Sequence, residues 1–264
     1  MRRWPDEKID EKIQLTSKIM GIGFDKLLGR MPRTLSGGEK QRVALARCII
    51  RNPSIFLLDE PMSNLDAKLR VKTRGEIKRL LRRFGITTLF VTHDQTEAVA
   101  LGDRIAVMRE GKIEQVGTYL DLYYTPRTLF TAGFIGLPPM NLLRGTLQKA
   151  ERRLVFSSFS LPLPGSVVRD FPDGTELVLG IRAEHIETVS HTEDYTAWGE
   201  VDFTEVMVSE QAQLVHLHIG EQPCVVKLPL QRAVQEREKL YLRFSRKNML
   251  VYDGKTGALL TRIY

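Results

Sequence analysis

Hydrophobic positions in the first half of the chain follow two alternating patterns. Ile9, Ile13, Thr16 and Met20 recur at helical spacing, and Gly21 and Gly23 close that segment. A second helix is predicted over about 36–51, stopped by Asn52 and Pro53. SIFLLD, at 54–59, is a continuous apolar run of the kind that forms a strand covered on both faces of a parallel sheet. Leu69, Thr73, Ile77, Leu80, Leu81 and Phe84 mark the apolar stripe of a third helix, which Gly85 ends. ITTLFVTH, at 86–93, repeats the buried-strand pattern. A short helix follows at about 95–101, closed by Gly102, and RIAVMREGKIEQVG predicts a hairpin around Glu110 and Gly111. Strands alternating with helices of this length imply an α/β arrangement with a parallel sheet.

The pattern changes near GLPPMN, at 136–141. Beyond it NLLRGTLQ, RRLVFSS, ELVLGIRAEH, WGEVDFTEVMV, AQLVHLHIG, PCVVKLPL, KLYLRFS and MLVYDG read as short strands separated by Gly, Pro and Asp turns. Such spacing predicts an all-β domain, a small barrel or sandwich. The expected division is residues 1–137 and 138–264, long enough for two cores.

Composition narrows the class only a little. Of 264 residues, 42% are hydrophobic and 27% charged, as in ordinary globular proteins. No apolar run approaches the roughly 20 residues that span a bilayer, and the basic start MRRWPDEKIDEKI has no apolar core of a secretory signal. A cytoplasmic setting is expected. Cys48 and Cys224 lie in apolar stretches and are expected to be buried thiols rather than a disulfide. The net charge of +7 would suit nucleic acid or an anionic surface. Its densest run, Lys68, Arg70, Lys72, Arg74, Lys78, Arg79, Arg82 and Arg83, falls mostly on the solvated face of the third helix, so nucleic acid is not an expected partner.

Three segments carry candidate chemistry. In LSGGEKQ, at 35–41, Ser36 and Glu39 form a capping box, and Gly37 and Gly38 allow close approach to the backbone. A helix N-terminus of this kind binds phosphate, and an ordinary capped helix would look the same. IFLLDE ends in Asp59 and Glu60, at the carboxyl edge of a parallel sheet where α/β proteins bind ligands. Asp59 would hold Mg²⁺ and Glu60 would polarise an attacking water; a solvated strand end is the plainer alternative. His93, in FVTHD, would contact a terminal phosphate or merely sit at a capped strand–helix junction. No companion histidine cluster supports a metal-dependent phosphohydrolase pair at His93 and Asp94.

Together, LSGGEKQRVALARCIIRNPSIFLLDEPMSNLDAKLR and the later THD resemble the ATP-binding-cassette (ABC) ATPases segment by segment. The resemblance implies that Ser36, Gly37, Gly38 and Glu39 are the signature touching ATP held by an opposite subunit. It makes Asp59 and Glu60 the Walker B acids, Asp66 the D-loop contact at a dimer, and His93 the switch histidine. TYLDLYYTP, FTAGFIGLPPMNLL and GIRAEHI are similar to the ATPases of sugar and glycerol-phosphate importers, with Ala183 where the usual motif has proline. That likeness implies an OB-like (TOBE-type) regulatory domain after the ATPase part. It also implies ATP and Mg²⁺, permease membrane subunits and a second ATPase subunit as partners, and a place at the inner face of the membrane.

A phosphate loop requires G-x-x-x-x-G-K-[ST]. Gly254-Lys255-Thr256 has Met249 where the first glycine belongs, so DGKTG is expected to be a hairpin turn. The resemblance places the phosphate loop, the Q-loop and the adenine contact before Met1. The chain is therefore expected to be N-terminally truncated, inactive alone, and open to a separate partner carrying the phosphate loop. It is also expected to expose apolar sheet surface in its first half. Competing readings are a half-site lending its signature in trans, and a non-catalytic regulatory module. A nucleic-acid-binding barrel would need Phe156, Phe159, Trp198 and Phe203 on its surface, and all four are expected in the core.

Overall fold

The computed structural model describes residues 5–21, 23–51, 53–63 and 65–263. The first four residues of the basic start, Asn52 of the expected helix stop and Asn64 of the SNLD segment lie outside the described residues. Contacts divide the chain into two compact units, Met1–Asp103 and Arg104–Tyr264.

In the first unit, α1 (Asp6–Met20) starts behind Pro5 with Asp6 and Glu7 in its first turn and ends at Gly21, whose φ of 89° suits glycine. The short α2 (Asp25–Leu28) leads to α3 (Gly37–Ile49). α4 (Ala67–Phe84) connects β1 (Ile55–Asp59) to β2 (Thr87–Val91), which pair in parallel from Ile55 opposite Thr87 to Asp59 opposite Val91. α5 (Gln95–Leu101) closes the unit. Phe56, Met62, Ile77, Leu80, Leu45 and Ile49 are buried together, with Leu58 and Phe90 packed against them.

Exposed apolar sheet surface is present as expected, so the buried-strand reading of 54–59 and 86–93 does not hold on both faces. Ile55, Leu57, Leu89 and Val91 are 51%, 69%, 58% and 50% exposed, because the helices pack on the Phe56–Leu58–Phe90 side only. The basic run of α4 is mostly solvated, as expected, with Lys68, Lys72, Arg79, Arg82 and Arg83 exposed, but three of its members are engaged. Arg74 Nη1 donates to Thr96 Oγ1 (3.3 Å), Lys78 donates to the Ala100 carbonyl, and Arg70 ion-pairs with Asp94 and Glu97. The spacing 70, 74, 78 puts these three on one stripe facing α5.

The second unit opens with the antiparallel hairpin β3 (Ile105–Arg109) and β4 (Lys112–Gly117). Its turn has φ of 51° at Glu110 and 77° at Gly111, the mirror-image geometry that matches strand twist. α6 (Tyr119–Tyr124) and α7 (Leu129–Phe134) precede the β-rich body. That body comprises β5 (Asn141–Gln148), β6 (Arg153–Val155), β7 (Ser160–Pro162), α8 (Gly165–Asp170), β8 (Glu176–Ile181) and β9 (Ile186–Val189). It continues with β10 (Ala197–Met207), β11 (Ala212–Ile219), β12 (Gln222–Pro229), β13 (Lys239–Phe244), β14 (Leu250–Asp253) and β15 (Leu259–Arg262). The strands form a five-stranded sheet, β12-β11-β10-β13-β9, and a six-stranded sheet, β15-β14-β8-β5-β6-β7. Leu143, Leu154 and Leu179 of one sheet share a single core with Val201, Leu217 and Leu242 of the other.

Two side-chain amides bridge the two sheets as backbone groups would. Asn141 Nδ2 donates to the Val225 carbonyl (2.8 Å) and its Oδ1 accepts from Val225 N–H (2.7 Å). Gln222 does the same for Arg144, at 2.6 and 2.9 Å. Strand β5 is thereby joined to β12, and one side of the sandwich closes towards a barrel.

The contact division falls at Asp103, earlier than the change of pattern at 136–141. Buried hydrogen bonds account for part of the difference. Arg182, 2% exposed, donates to the carbonyls of Ile135 and Tyr123, with its guanidinium carbon 4.0 Å above the Tyr123 ring. Tyr252 Oη donates to the Pro126 carbonyl (3.1 Å), and Leu129 N–H to the Gly257 carbonyl (2.9 Å). These bonds tie residues 123–135 to the β-rich body.

DGKTG is the expected turn. Asp253 Oδ1 accepts from the N–H groups of Lys255 (2.7 Å) and Thr256 (3.2 Å), and Gly257 has φ of 73°. Cys224 is buried, and that burial pushes its thiol up to about 12, whereas Cys48 is exposed, against expectation. Phe156 is core as expected, but Trp198 and Phe203 are 37% and 50% exposed. Both lie on the outward face of β10, where Lys239 Nζ sits 3.7 Å from the Trp198 ring and Phe203 stacks on His216.

Candidate functional site

Parallel pairing of β1 and β2 sets Asp59 beside Val91, so both strands end at the same edge. Glu60 continues the ladder by donating its N–H to the Val91 carbonyl (2.9 Å). It does so with φ of 41°, a left-handed conformation that costs a non-glycine residue on the order of 1 kcal/mol. The backbone then folds back, and the Glu60 carbonyl accepts from Ser63 N–H and Ser63 Oγ, at 3.2 and 3.0 Å. The geometry turns the Glu60 side chain towards the end of β2, where Oε1 lies 3.0 Å from His93 Nδ1. The hydrogen bond to Glu60 and then the negative charge of that carboxylate raise the pKa of His93 above 6.5. Protonated at Nδ1, the imidazole donates to the carboxylate and orients it.

The loop that carries His93 is itself held. Thr92 Oγ1 donates to Glu97 Oε2 (2.7 Å) and accepts from Asp94 N–H (3.0 Å). Asp94 caps α5 by accepting from the N–H groups of Thr96 and Glu97. Arg70 joins the set, 3.6 Å from Asp94 and 3.8 Å from Glu97, while donating to the Leu65 carbonyl (3.1 Å). Burial alone would raise the Asp94 pKa; the bonds from Thr96 and Glu97 and the charge of Arg70 outweigh it and hold the pKa below the ordinary aspartate value. Sequence reading missed Thr92, Arg70 and Glu97 as supports of His93. A glutamate only 4% exposed gives no sign in one dimension that an arginine 27 positions earlier reaches it.

A second group forms at the start of α3. Ser36 Oγ accepts from Glu39 N–H (3.4 Å), and Glu39 Oε2 accepts from Ser36 N–H (2.8 Å), the reciprocal capping box. Gly37 is exposed, but Gly38 is buried. A Cβ at Gly38 would lie 3.2 Å from Leu69 Cδ1, so this glycine lets the start of α3 approach the start of α4. That packing role adds to the backbone access expected of it. Asp66 caps α4 by accepting from Leu69 N–H (2.9 Å).

The structure thus brings Asp59, Glu60 and His93 together at one sheet edge, with Ser36, Gly37, Gly38 and Glu39 at one helix N-terminus and Asp66 at another. Among the described residues no cluster of three metal-binding side chains occurs. A cation at Asp59 would therefore take most of its ligands from phosphate oxygens and water. That donor set fits Mg²⁺, which keeps several waters and uses one or two carboxylates. No described helix is long and apolar enough to cross a membrane.

Comparison with known proteins supplies the wider context. A family model described as "ABC transporter" matches residues 5–63, and one described as "MalK OB fold domain" matches residues 136–186. The trehalose/maltose import ATP-binding protein of Thermococcus litoralis is 38% identical over 266 residues, 97% of this chain and 70% of the relative. The sn-glycerol-3-phosphate import ATP-binding protein of Escherichia coli is 41% identical over 252 residues, 95% of this chain and 69% of the relative. The xylose/arabinose import ATP-binding protein of Haloferax volcanii is 41% identical over 261 residues, 97% of this chain and 67% of the relative. With the capped LSGGEKQ helix, the paired Glu60 and His93, and a two-sheet body where the OB-fold model matches, this chain belongs to the ABC transporter ATP-binding proteins of the sugar and glycerol-phosphate importer type.

Proposed function

We propose that this chain is the signature and Walker B portion of an ATP-hydrolysing subunit that energises a binding-protein-dependent importer of sugars or related solutes. The observation that carries this reading is the Glu60–His93 pair, 3.0 Å apart beside Asp59 at the carboxyl edge of β1 and β2. ATP supplies the phosphoryl group, and Mg²⁺ supplies charge neutralisation on its phosphates. Glu60 accepts a proton from the attacking water while His93 fixes the direction of its carboxylate. Asp59 binds the cation side of the nucleotide. Ser36, Gly37 and Gly38 present the α3 N-terminus to the nucleotide of an opposing subunit, and Asp66 lies at that dimer contact.

The 264 residues contain no G-x-x-x-x-G-K-[ST] segment. Asp59 and Glu60 therefore act with a phosphate loop from outside these 264 residues. The polypeptide by itself turns over ATP negligibly, because phosphoryl transfer depends on positioned phosphates. The working assembly includes permease subunits and sits at the inner face of the membrane.

The test mixes the chain with an intact importer ATP-binding subunit whose own signature serine is replaced by arginine. Turnover that appears on mixing and is lost with Ser36→Arg supports the reading. Absence of turnover in the mixture, or turnover by the chain alone above its Glu60→Gln variant, overturns it.

A further inference from the structure

The α3 N-terminus carries a charge that its proposed task does not favour. Glu39 sits at the third position of the helix, and its Oε2 is committed to Ser36 N–H at 2.8 Å. Its other oxygen would leave a carboxylate beside the N–H groups that a phosphate is to meet. In water, two like charges about 4 Å apart repel by roughly 1 kcal/mol, and this helix end is exposed at Ser36 and Gly37. A capping box works equally well with glutamine, which bonds the same N–H without charge. The charge at Glu39 is therefore not required by the cap.

Arg30 answers that charge. Its Nη1 lies 3.1 Å from Glu39 Oε1, the oxygen the capping box leaves free. Its Nη2 donates to the Thr34 carbonyl, and Thr34 Oγ1 donates to the Met31 carbonyl (2.8 Å). The guanidinium fork thus spans the approach loop 30–34 and the first turn of α3. Nothing in the apolar pattern around LLGRMPRTL marks Arg30, since the pairing crosses a turn nine residues long.

We propose that Arg30 is a positioning residue for the nucleotide contact: it neutralises Glu39 so that the α3 N-terminus accepts a phosphate from an opposing subunit. The inference rests on the function proposed above. Arg30 itself does not touch the phosphate. It sets the field and the loop geometry at the residues that do.

The test uses the full chain in the mixture with the signature-defective subunit, reading the chain concentration that gives half-maximal ATP turnover. Arg30→Ala raises that concentration about fivefold, the upper end of what an exposed ion pair contributes. The double variant Arg30→Ala with Glu39→Gln needs a lower concentration than Arg30→Ala alone, because the unneutralised carboxylate is gone. Arg30→Lys keeps the charge without the fork and stays within about twofold. If the double variant remains as weak as Arg30→Ala, or Arg30→Lys is as weak, Arg30 only holds the loop through Thr34 and the proposal is overturned. An Arg30→Ala chain that pairs normally overturns it too. If the unsubstituted chain gives no turnover in the mixture, the functional reading fails and the proposal falls with it; the wild-type arm tells the two failures apart. Circular dichroism of each variant establishes that it is folded, and Arg30→Lys decides the matter if Arg30→Ala is not.

Discussion

Replacing Arg182 by methionine should release residues 119–135 from the second unit without unfolding it. The guanidinium is 2% exposed and donates to the Ile135 carbonyl and to the Tyr123 carbonyl at 3.0 Å, over the Tyr123 ring at 4.0 Å. Hydrogen bonds from a charged donor contribute roughly 1.5–3 kcal/mol each, and the ring contact adds about 1–2 kcal/mol. Against this stands the cost of keeping a cation out of water, several kcal/mol in practice. That cost also explains why burial holds the Arg182 pKa below the ordinary arginine value. Methionine removes the bonds and the cost together but strands two carbonyls, so the net loss is about 3 kcal/mol. Gly136 shows how closely the site is built, since a Cβ there would lie 2.5 Å from Arg182 Nη1. Hydrogen exchange read peptide by peptide gives the outcome. A loss of about 3 kcal/mol lowers amide protection in 119–135 about a hundredfold. Strands β10 to β13, which Arg182 does not bond, should keep theirs. Unchanged protection in 119–135, or an even loss across both segments, would refute the reasoning.

Two further outcomes follow from the site and the β-body. His93 should titrate above 6.5, and Glu60→Gln should bring it back towards 6.5; a midpoint in the NMR titration that ignores the substitution would remove the pairing. Because the folded pKa is the raised one, the stabilisation from this pair is complete below about 6.5 and is lost as pH rises through the folded value. Gly199→Ala should lower the urea midpoint of the second unit by the equivalent of about 1–3 kcal/mol, because a Cβ would meet Leu217 Cδ1 at 2.5 Å and the His218 carbonyl at 2.7 Å. Fluorescence of the neighbouring Trp198 reports it, and an unmoved midpoint would contradict the packing described.

Much of this molecule is legible one residue after another. The helices capped by Ser36, Asp66 and Asp94, the turn at Glu110 and Gly111, and most strands of the β-body announce themselves through local periodicity and local caps. The exposure of β1 and β2 was readable only in part. SIFLLD has the composition of a fully covered strand, yet composition does not say on how many faces helices pack. Cys48 and Trp198 were misjudged for the same reason: an apolar neighbourhood in sequence is not burial in space. Supports that act across the fold left no one-dimensional trace. Arg70 to Glu97, Arg182 to Ile135 and Asn141 to Val225 join residues 27, 47 and 84 positions apart through single polar side chains.

The left-handed backbone at Glu60 sets two selective pressures against each other. Glycine would occupy that φ without strain, so a library screened for heat resistance alone should drift from glutamate to glycine there and become sturdier for it. A library screened for import would be held at glutamate. Glu110, Arg152, Gln211 and Arg237 share that positive φ, but Glu60 is the one of the five on which the proposed chemistry turns. Redesign guided by stability alone would therefore remove the carboxylate proposed to act on water, and would record the loss as an improvement.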